Sequence, residues 1–146
     1  MIPTSLLAMV DSSIGGKTGI NSKFGKNLIG TFYLPKKVFI CSDFLKSLPK
    51  REIACGYAEI IKYSLIHSKQ LHKLLIKRSM DDMNKIIKLS INSKLKYISD
   101  FREKLKSKNS RAILNFGHTI GHAIENSNFY KGCLLYTSDA ADEVVR

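Results

Sequence analysis

From Lys50 onwards, apolar residues recur every three or four positions, which is the spacing of one face of a helix. The first predicted helix carries the stripe Ile53, Tyr57, Ile60, Ile61 and Leu65. A second helix is predicted around Leu71, Leu74 and Leu75. A long, lysine-rich third helix is predicted from Ile86, Ile87, Leu89, Ile91, Leu95 and Ile98. After a polar, loop-like run from Lys104 to Ser110, a final helix is predicted from Arg111 to Glu125.

The first 48 residues follow a different pattern. A short apolar turn and a glycine-rich stretch come first: Leu6, Leu7, Met9 and Val10, then Asp11 to Asn21. Two short strands are then predicted on either side of a turn at Leu34-Pro35-Lys36, namely Asn27 to Phe32 and Val38 to Cys41. Ser42-Asp43 is predicted to cap a short helix that ends at Pro49. The predicted fold is therefore an α/β entry segment that leads into a mostly α-helical domain.

Composition narrows the class of protein. With 146 residues and 44% hydrophobic residues, the chain can bury one core. Three widely spaced cysteines without a CxxC pair argue against a disulfide framework and a cysteine zinc site, and they favour a reducing cytoplasm. No apolar run approaches the roughly 18 residues of a membrane span, so we expect no membrane partner.

The net charge of +12 favours an anionic partner. Because the lysines are spread along the chain, an ordinary lysine-rich surface is an equally weighted interpretation. A basic nucleic-acid-binding module is a remote alternative, since no interleaved surface aromatics and no helix-turn-helix or zinc-finger spacing accompany the lysines. We therefore expect no nucleic-acid partner.

The stretch from Asp11 to Gly19, DSSIGGKTG, combines paired glycines with Lys17 and could hold an anion against backbone N–H groups. It is not a P-loop, because GxxxxGK[ST] requires a glycine where Asp11 stands and no predicted strand precedes it. An ordinary glycine-rich turn remains open on this local pattern.

Two further patterns could carry metal chemistry. Glu59 has Lys62 one helical turn away, and on local grounds a surface ion pair is the favoured interpretation. His118 and His122 are spaced to lie on one helix face, although Thr119 excludes the HExxH pattern of zinc proteases. A metal site and a pair of structural histidines remain equally open. His67 and His72 are interpreted as ordinary helix-surface residues.

Four segments occur in one order that resembles the 3-dehydroquinate synthase family: IPTSLLAMVDSSIGGKTGIN, GKNLIGTFYLP, LPKREIACGYAEIIKYSLI and RAILNFGHTIGHAIE. The resemblance covers roughly residues 2 to 131, and only the stretch around 77 to 108 is poorly patterned. It implies an enzyme of the shikimate pathway, and so of aromatic amino acid biosynthesis. Such an enzyme uses NAD and a divalent metal, usually zinc and alternatively cobalt, to convert 3-deoxy-arabino-heptulosonate 7-phosphate into 3-dehydroquinate and phosphate.

The resemblance also implies roles for individual residues. Glu59 and His118 match metal ligands. The positions that match substrate-binding and catalytic residues are Asp11, Lys62, Lys94, Arg111, Asn115 and His122. The positions that match residues lining NAD are Thr4, Ser5, Lys17, Lys26, Phe44, Leu45, Lys46 and Ser47. A homodimer is implied for the full-length family.

Departures from the family pattern lead us to expect an incomplete enzyme that is inactive alone. No glycine-rich βαβ half precedes Met1, and Tyr136 stands where the third metal ligand, a histidine, is expected. The predicted division is 1–48 closing the NAD and substrate cleft, 49–132 a truncated helical metal- and substrate-binding domain, and 133–146 a foreign or disordered tail. Another sugar phosphate cyclase is the alternative, and Arg111 and Asn115 favour dehydroquinate synthase.

Overall fold

A computed structural model describes residues 1–22, 25–77, 82–98 and 111–117. The strands are β1, Lys17–Ser22, and β2, Gly25–Phe32. The helices are α1, Lys50–Ile66, α2, Lys69–Ile76, and α3, Met83–Ile98. The described residues also include a π-helical turn at Ala8–Ser12 and 3-10 helices at Ser42–Ser47 and Arg111–Asn115. The predicted fold class, a short strand segment followed by helices, is confirmed.

The core lies between the three long helices and the π-helical turn, which packs against α1 and α3. The apolar N-terminal turn thus contributes to the core of the helical part. The buried cluster comprises Leu6, Met9, Val10, Ile60, Tyr63, Leu71, Ile86, Ile87, Tyr97 and Leu114.

Gly56 allows α1 to approach this turn closely. A Cβ atom at Gly56 would lie 2.5 Å from Cγ of Leu6, a side chain that is fully buried. Real carbon atoms do not approach this closely, so any larger residue would push the turn and the helix apart.

The strand prediction was correct for β2 and wrong for Val38–Cys41, which forms no strand. That segment is next to the N-terminus instead, where the Phe39 N–H donates to the Met1 carbonyl at 3.0 Å. The partner of β2 is β1, formed by the glycine-rich stretch in an antiparallel register that places Ile20 opposite Ile29. Gly16 has a φ of 71° and its carbonyl accepts from Tyr33 N–H at 2.7 Å, which closes the base of the hairpin.

The three helices predicted between Lys50 and Ile98 are confirmed, but parts of their predicted buried faces were wrong. Ile61, Leu65 and Leu95 are 48%, 60% and 51% exposed. Buried positions on α1 and α3 are instead held by polar residues, including Glu59, Lys62, Ser90, Ser93 and Lys94. Apolar periodicity misplaces a helix face where charged groups are buried together.

Two helix ends also differ from prediction. The helix at Ser42–Ser47 forms, but no side chain caps it; Asp43 pairs with Lys46 at 2.6 Å instead. A continuous α-helix from Arg111 does not form, because a 3-10 helix ends at Asn115 and Gly117 has a φ of 85°. The rest of that predicted helix, the predicted loop at 104–110 and the tail lie outside the described residues. No helix in the described ranges combines the length and apolar character needed to cross a membrane.

Candidate active site

Asp11, on the π-helical turn, is the centre of a buried polar site. Its side-chain Oδ1 lies 2.7 Å from the Lys94 ammonium, which also donates to the Asp11 backbone carbonyl at 2.8 Å. The Tyr63 hydroxyl donates to the same Oδ1. Asp11 is 7% exposed and Lys94 6%, so this ion pair is almost completely removed from water.

Burial alone would raise the pKa of Asp11, because water no longer solvates its charge. The positive charges of Lys94 and Lys62 outweigh this effect, and hydrogen bonds from Lys94 and Tyr63 act in the same direction. The pKa of Asp11 is therefore below its ordinary value, and the carboxylate is ionised at neutral pH.

A second buried ion pair lies beside the first, on α1. Lys62 pairs with Glu59 Oε2, and the two side chains are only 8% and 2% exposed. The surface-pair interpretation of these residues was therefore wrong. The Lys62 ammonium also lies 5.2 Å from the ring centre of Tyr63, which connects the two pairs. We call Asp11, Glu59, Lys62, Tyr63 and Lys94 the charge cluster.

The charge cluster is suited to binding a polar ligand. Two carboxylates and two ammonium groups are expensive to bury, and such pairs are weak contributors to stability compared with apolar residues of similar size. Buried carboxylates with a perturbed pKa, such as Asp11, are concentrated at functional sites. The arrangement can accept hydrogen bonds from hydroxyl groups at Asp11 and attract anionic groups to the lysines.

The fit to a metal rests on Glu59 alone in the described part of the chain. A buried carboxylate is an ordinary zinc ligand. No group of three or more His, Cys, Asp or Glu side chains comes together among the described residues. His118 and His122 lie outside those residues, so their predicted roles stay predictions.

The remaining predicted cofactor-lining residues lie around the turn and the first 3-10 helix. Thr4 is exposed, and Ser5 Oγ accepts from the Ala8 N–H at 3.2 Å. The Lys17 ammonium is buried at the start of β1. The segment Phe44 to Ser47 forms most of the first 3-10 helix, with Phe44 42% exposed.

The other predicted site positions in this part of the chain are Asn115, Lys26 and Arg111. Asn115 is half-buried at the end of its 3-10 helix, which packs against α1 and α3. The side chains of Lys26 and Arg111 lie outside the described residues. The structure thus brings Asp11, Lys94 and the Glu59–Lys62 pair together, while the predicted NAD-lining roles remain predictions.

Tyr63 is the member of the charge cluster that the sequence analysis missed. It is fully buried, and a buried tyrosine hydroxyl normally needs a partner. Its position directly after Lys62 and four residues after Glu59 was the available signal. His67 is half-buried rather than an ordinary surface residue, and its Nδ1 lies 3.2 Å from the Tyr97 hydroxyl. His72 is exposed, as predicted.

Solved structures with a similar fold include two synthases. A 2-deoxy-scyllo-inosose synthase in complex with carbaglucose-6-phosphate, NAD+ and Co2+ shares 29% identity with a TM-score of 0.73, over 95% of this chain and 38% of the other. The 2-epi-5-epi-valiolone synthase from Streptomyces hygroscopicus subsp. jinggangensis 5008, with NAD+ and Zn2+ bound, shares 26% identity with a TM-score of 0.76, over 95% of this chain and 39% of the other.

Sequence relatives are closer. The 3-dehydroquinate synthase of Campylobacter concisus is 52% identical over 132 residues, which is 89% of this chain and 37% of the relative. That of Pyrococcus furiosus is 48% identical over 134 residues, 90% of this chain and 39% of the relative. The chain thus spans less than two fifths of the length of these relatives. Residues 1–55 match the family profile described as 3-dehydroquinate synthase N-terminal, and residues 56–134 match 3-dehydroquinate synthase C-terminal. The chain belongs to the 3-dehydroquinate synthase family.

Proposed function

We propose that this chain forms part of a 3-dehydroquinate synthase, which converts 3-deoxy-arabino-heptulosonate 7-phosphate into 3-dehydroquinate and phosphate. The buried charge cluster is the observation that carries the proposal, because it places an ionised carboxylate and two ammonium groups in one water-poor site. The proposal is supported by 3-dehydroquinate synthases whose sequences are about 50% identical to this one over most of the chain.

The proposed roles follow from the charges. The Asp11 carboxylate, ionised because its pKa is lowered, accepts a hydrogen bond from a substrate hydroxyl. Lys62 and Lys94 stabilise negative charge that develops on the substrate, and their effect is large because little water screens it. Arg111 is suited to bidentate binding of a carboxylate or phosphate, and Asn115 and His122 complete the substrate contacts.

A metal and a cofactor belong to the same proposal. Glu59, a buried carboxylate, and His118 would hold zinc or another divalent ion such as cobalt, which would polarise a substrate oxygen. Thr4, Ser5, Lys17, Lys26 and the segment Phe44 to Ser47 would line NAD. When bound, NAD would supply reversible hydride transfer, which makes a neighbouring C–H group acidic.

The organisation of the whole protein is also proposed. Residues 1–48 would close the cleft for NAD and substrate, and residues 49–132 would bind metal and substrate. We propose that the whole protein is a cytoplasmic homodimer, as the family resemblance implies. Sedimentation of the whole protein tests the oligomeric state.

A chimaera tests the function. Residues 2–132 of this chain replace the matching segment of the Campylobacter concisus enzyme, and phosphate release from the heptulosonate phosphate is measured with NAD and zinc. We expect activity in the chimaera and a loss of about 100-fold or more when Glu59→Gln or Asp11→Asn is introduced. A folded chimaera without phosphate release would contradict the proposal. The 146-residue chain is assayed alone as a control, and we expect it to be inactive because it spans 37% of that relative.

Another sugar phosphate cyclase activity is the second candidate, favoured by the structural similarity to 2-deoxy-scyllo-inosose synthase. The chimaera distinguishes the two when competing sugar phosphates are supplied together. A higher kcat/KM for the heptulosonate phosphate favours dehydroquinate synthase, and the reverse order favours the cyclase.

A further inference from the structure

The carboxylate of Asp11 is fixed from two different helices. Tyr63 reaches it from α1 and Lys94 from α3, and both donate to Oδ1. The two donors are 52 and 83 residues away along the chain, so they constrain the turn independently of local backbone geometry.

The two donors do not constrain the carboxylate equally. Lys94 carries a rotatable ammonium on a flexible stem, and that ammonium is shared between Oδ1 and the Asp11 carbonyl. Tyr63 carries a single O–H on a rigid ring, and the ring is locked in the core at zero exposure. The phenol therefore sets the direction of the carboxylate more narrowly than the ammonium does.

We propose that Tyr63 is a positioning residue, whose hydroxyl holds Asp11 Oδ1 so that Oδ2 is the oxygen presented to a hydroxyl group of the ligand. The identity of the ligand rests on the proposed function, but the positioning of Asp11 does not. Tyr63 itself does not contact the reacting atoms in this proposal; it acts through Asp11.

Packing gives the competing explanation, since Tyr63 is also one of the largest fully buried side chains. Tyr63→Phe separates the two roles, because it keeps the ring and removes only the hydroxyl. Tyr97→Phe is the matched control: Tyr97 is 6% exposed, and its hydroxyl bonds His67 rather than Asp11. Both changes remove one buried hydroxyl and its hydrogen bond.

The first measurement needs no enzyme activity. In the 146-residue chain labelled with 13C-carboxyl aspartate, the Asp11 resonance is assigned with Asp11→Asn and followed as a function of pH. The charged groups that face Asp11, namely Lys62 with its partner Glu59 and Lys94, stay unchanged in each variant. We expect Tyr63→Phe to raise the pKa of Asp11, because a hydrogen bond to the charged form is lost, and Tyr97→Phe to leave it as in the parent. Equal titration of Asp11 in both variants would overturn the proposal.

A second substitution tests the proposal even if Tyr63→Phe does not fold. Site-specific 3-fluorotyrosine in place of Tyr63 keeps the hydrogen bond and makes the phenol a stronger donor. The pKa of Asp11 should then fall below that of the parent chain, and an unchanged titration would again refute the positioning role.

Kinetics of the chimaera link the positioning to the reaction. We expect Tyr63→Phe to lower kcat about tenfold or more, as loss of a hydrogen bond to a charged group does, with KM changed less than twofold. Tyr97→Phe should lower kcat by less than twofold. An equal loss in both variants would contradict the proposal. If the parent chimaera is inactive while the Asp11 titration responds to Tyr63→Phe, the proposed function fails and the positioning role stands.

Discussion

Asp11 and Lys94 illustrate how strongly a buried charge depends on its partner. The pair is surrounded by core residues, and removal of one member leaves the other charged in a medium that solvates it poorly. Lys85 and Asp82 offer a contrast, since they form an ion pair at 3.3 Å with both side chains more than two fifths exposed.

Lys94→Met should therefore lower the free energy of unfolding by about 3–5 kcal/mol. Lys85→Met, the control, should change it by less than about 1 kcal/mol, because water screens an exposed pair. Urea unfolding of both variants measures the difference. The double variant Asp11→Asn/Lys94→Met should recover part of the loss, since no uncompensated charge remains. Equal effects of the two lysine substitutions would show that the buried pair is not coupled as described.

At the scale of residues, the sequence indicated which residues belong to the site, but not whether their side chains are buried or which groups they contact. The family resemblance pointed to Asp11, Glu59, Lys62 and Lys94, which the structure brings together. Local spacing could place Glu59 next to Lys62 but not show that both are buried. It gave no account of Tyr63, because its hydrogen-bond partner is 52 residues away.

At the scale of elements, Gly56 determines how closely α1 lies against the apolar N-terminal turn that contains Leu6. Alanine normally stabilises a helix interior by about 1 kcal/mol relative to glycine. Here the added Cβ would overlap Leu6, whose side chain is fully buried.

Gly56→Ala is expected to destabilise the chain by about 1–3 kcal/mol despite its better helix propensity. Denaturant unfolding measures the loss. The double variant Leu6→Ala/Gly56→Ala provides the control, because the smaller Leu6 side chain removes the overlap. The two substitutions together should then cost less than the sum of their separate effects. Simple additivity would argue against direct contact.

The elements themselves were predictable to the extent that they depend on local pattern. Apolar periodicity located α1, α2 and α3. The partner of β2 was not predictable, because the glycine-rich β1 lacks a strand pattern and the more apolar Val38–Cys41 lies beside the N-terminus. Gly117 ends a predicted helix because its backbone lies in the left-handed region that glycine favours.

At the scale of the whole molecule, the β1–β2 hairpin carries exposed apolar side chains on both faces. Ile20 and Ile29 are opposite each other on one face, and Leu28 and Phe32 lie on the other. A two-stranded sheet is marginally stable in water, and an exposed apolar edge promotes association.

We expect Ile20→Thr/Ile29→Thr to reduce concentration-dependent light scattering of the 146-residue chain while leaving its unfolding free energy within about 1 kcal/mol of the parent. Threonine keeps the β-branched shape that suits a strand. Ile76→Thr is the control, since Ile76 is 68% exposed but lies on α2 rather than on the hairpin. A similar reduction from that single change would show that general surface hydrophobicity, rather than the hairpin, drives association.

The separation between Asp11 and Lys94 has a consequence for how the chain acquires its structure. The two residues lie 83 positions apart, so their pairing closes a long loop, and the entropy lost in closure delays contacts of this kind. During synthesis Asp11 leaves the ribosome well before Lys94. Until Lys94 has also been synthesised, the Asp11 carboxylate remains hydrated. Burial of the N-terminal turn is thereby coupled to completion of α3. The polar site should form as one of the last cooperative steps of folding.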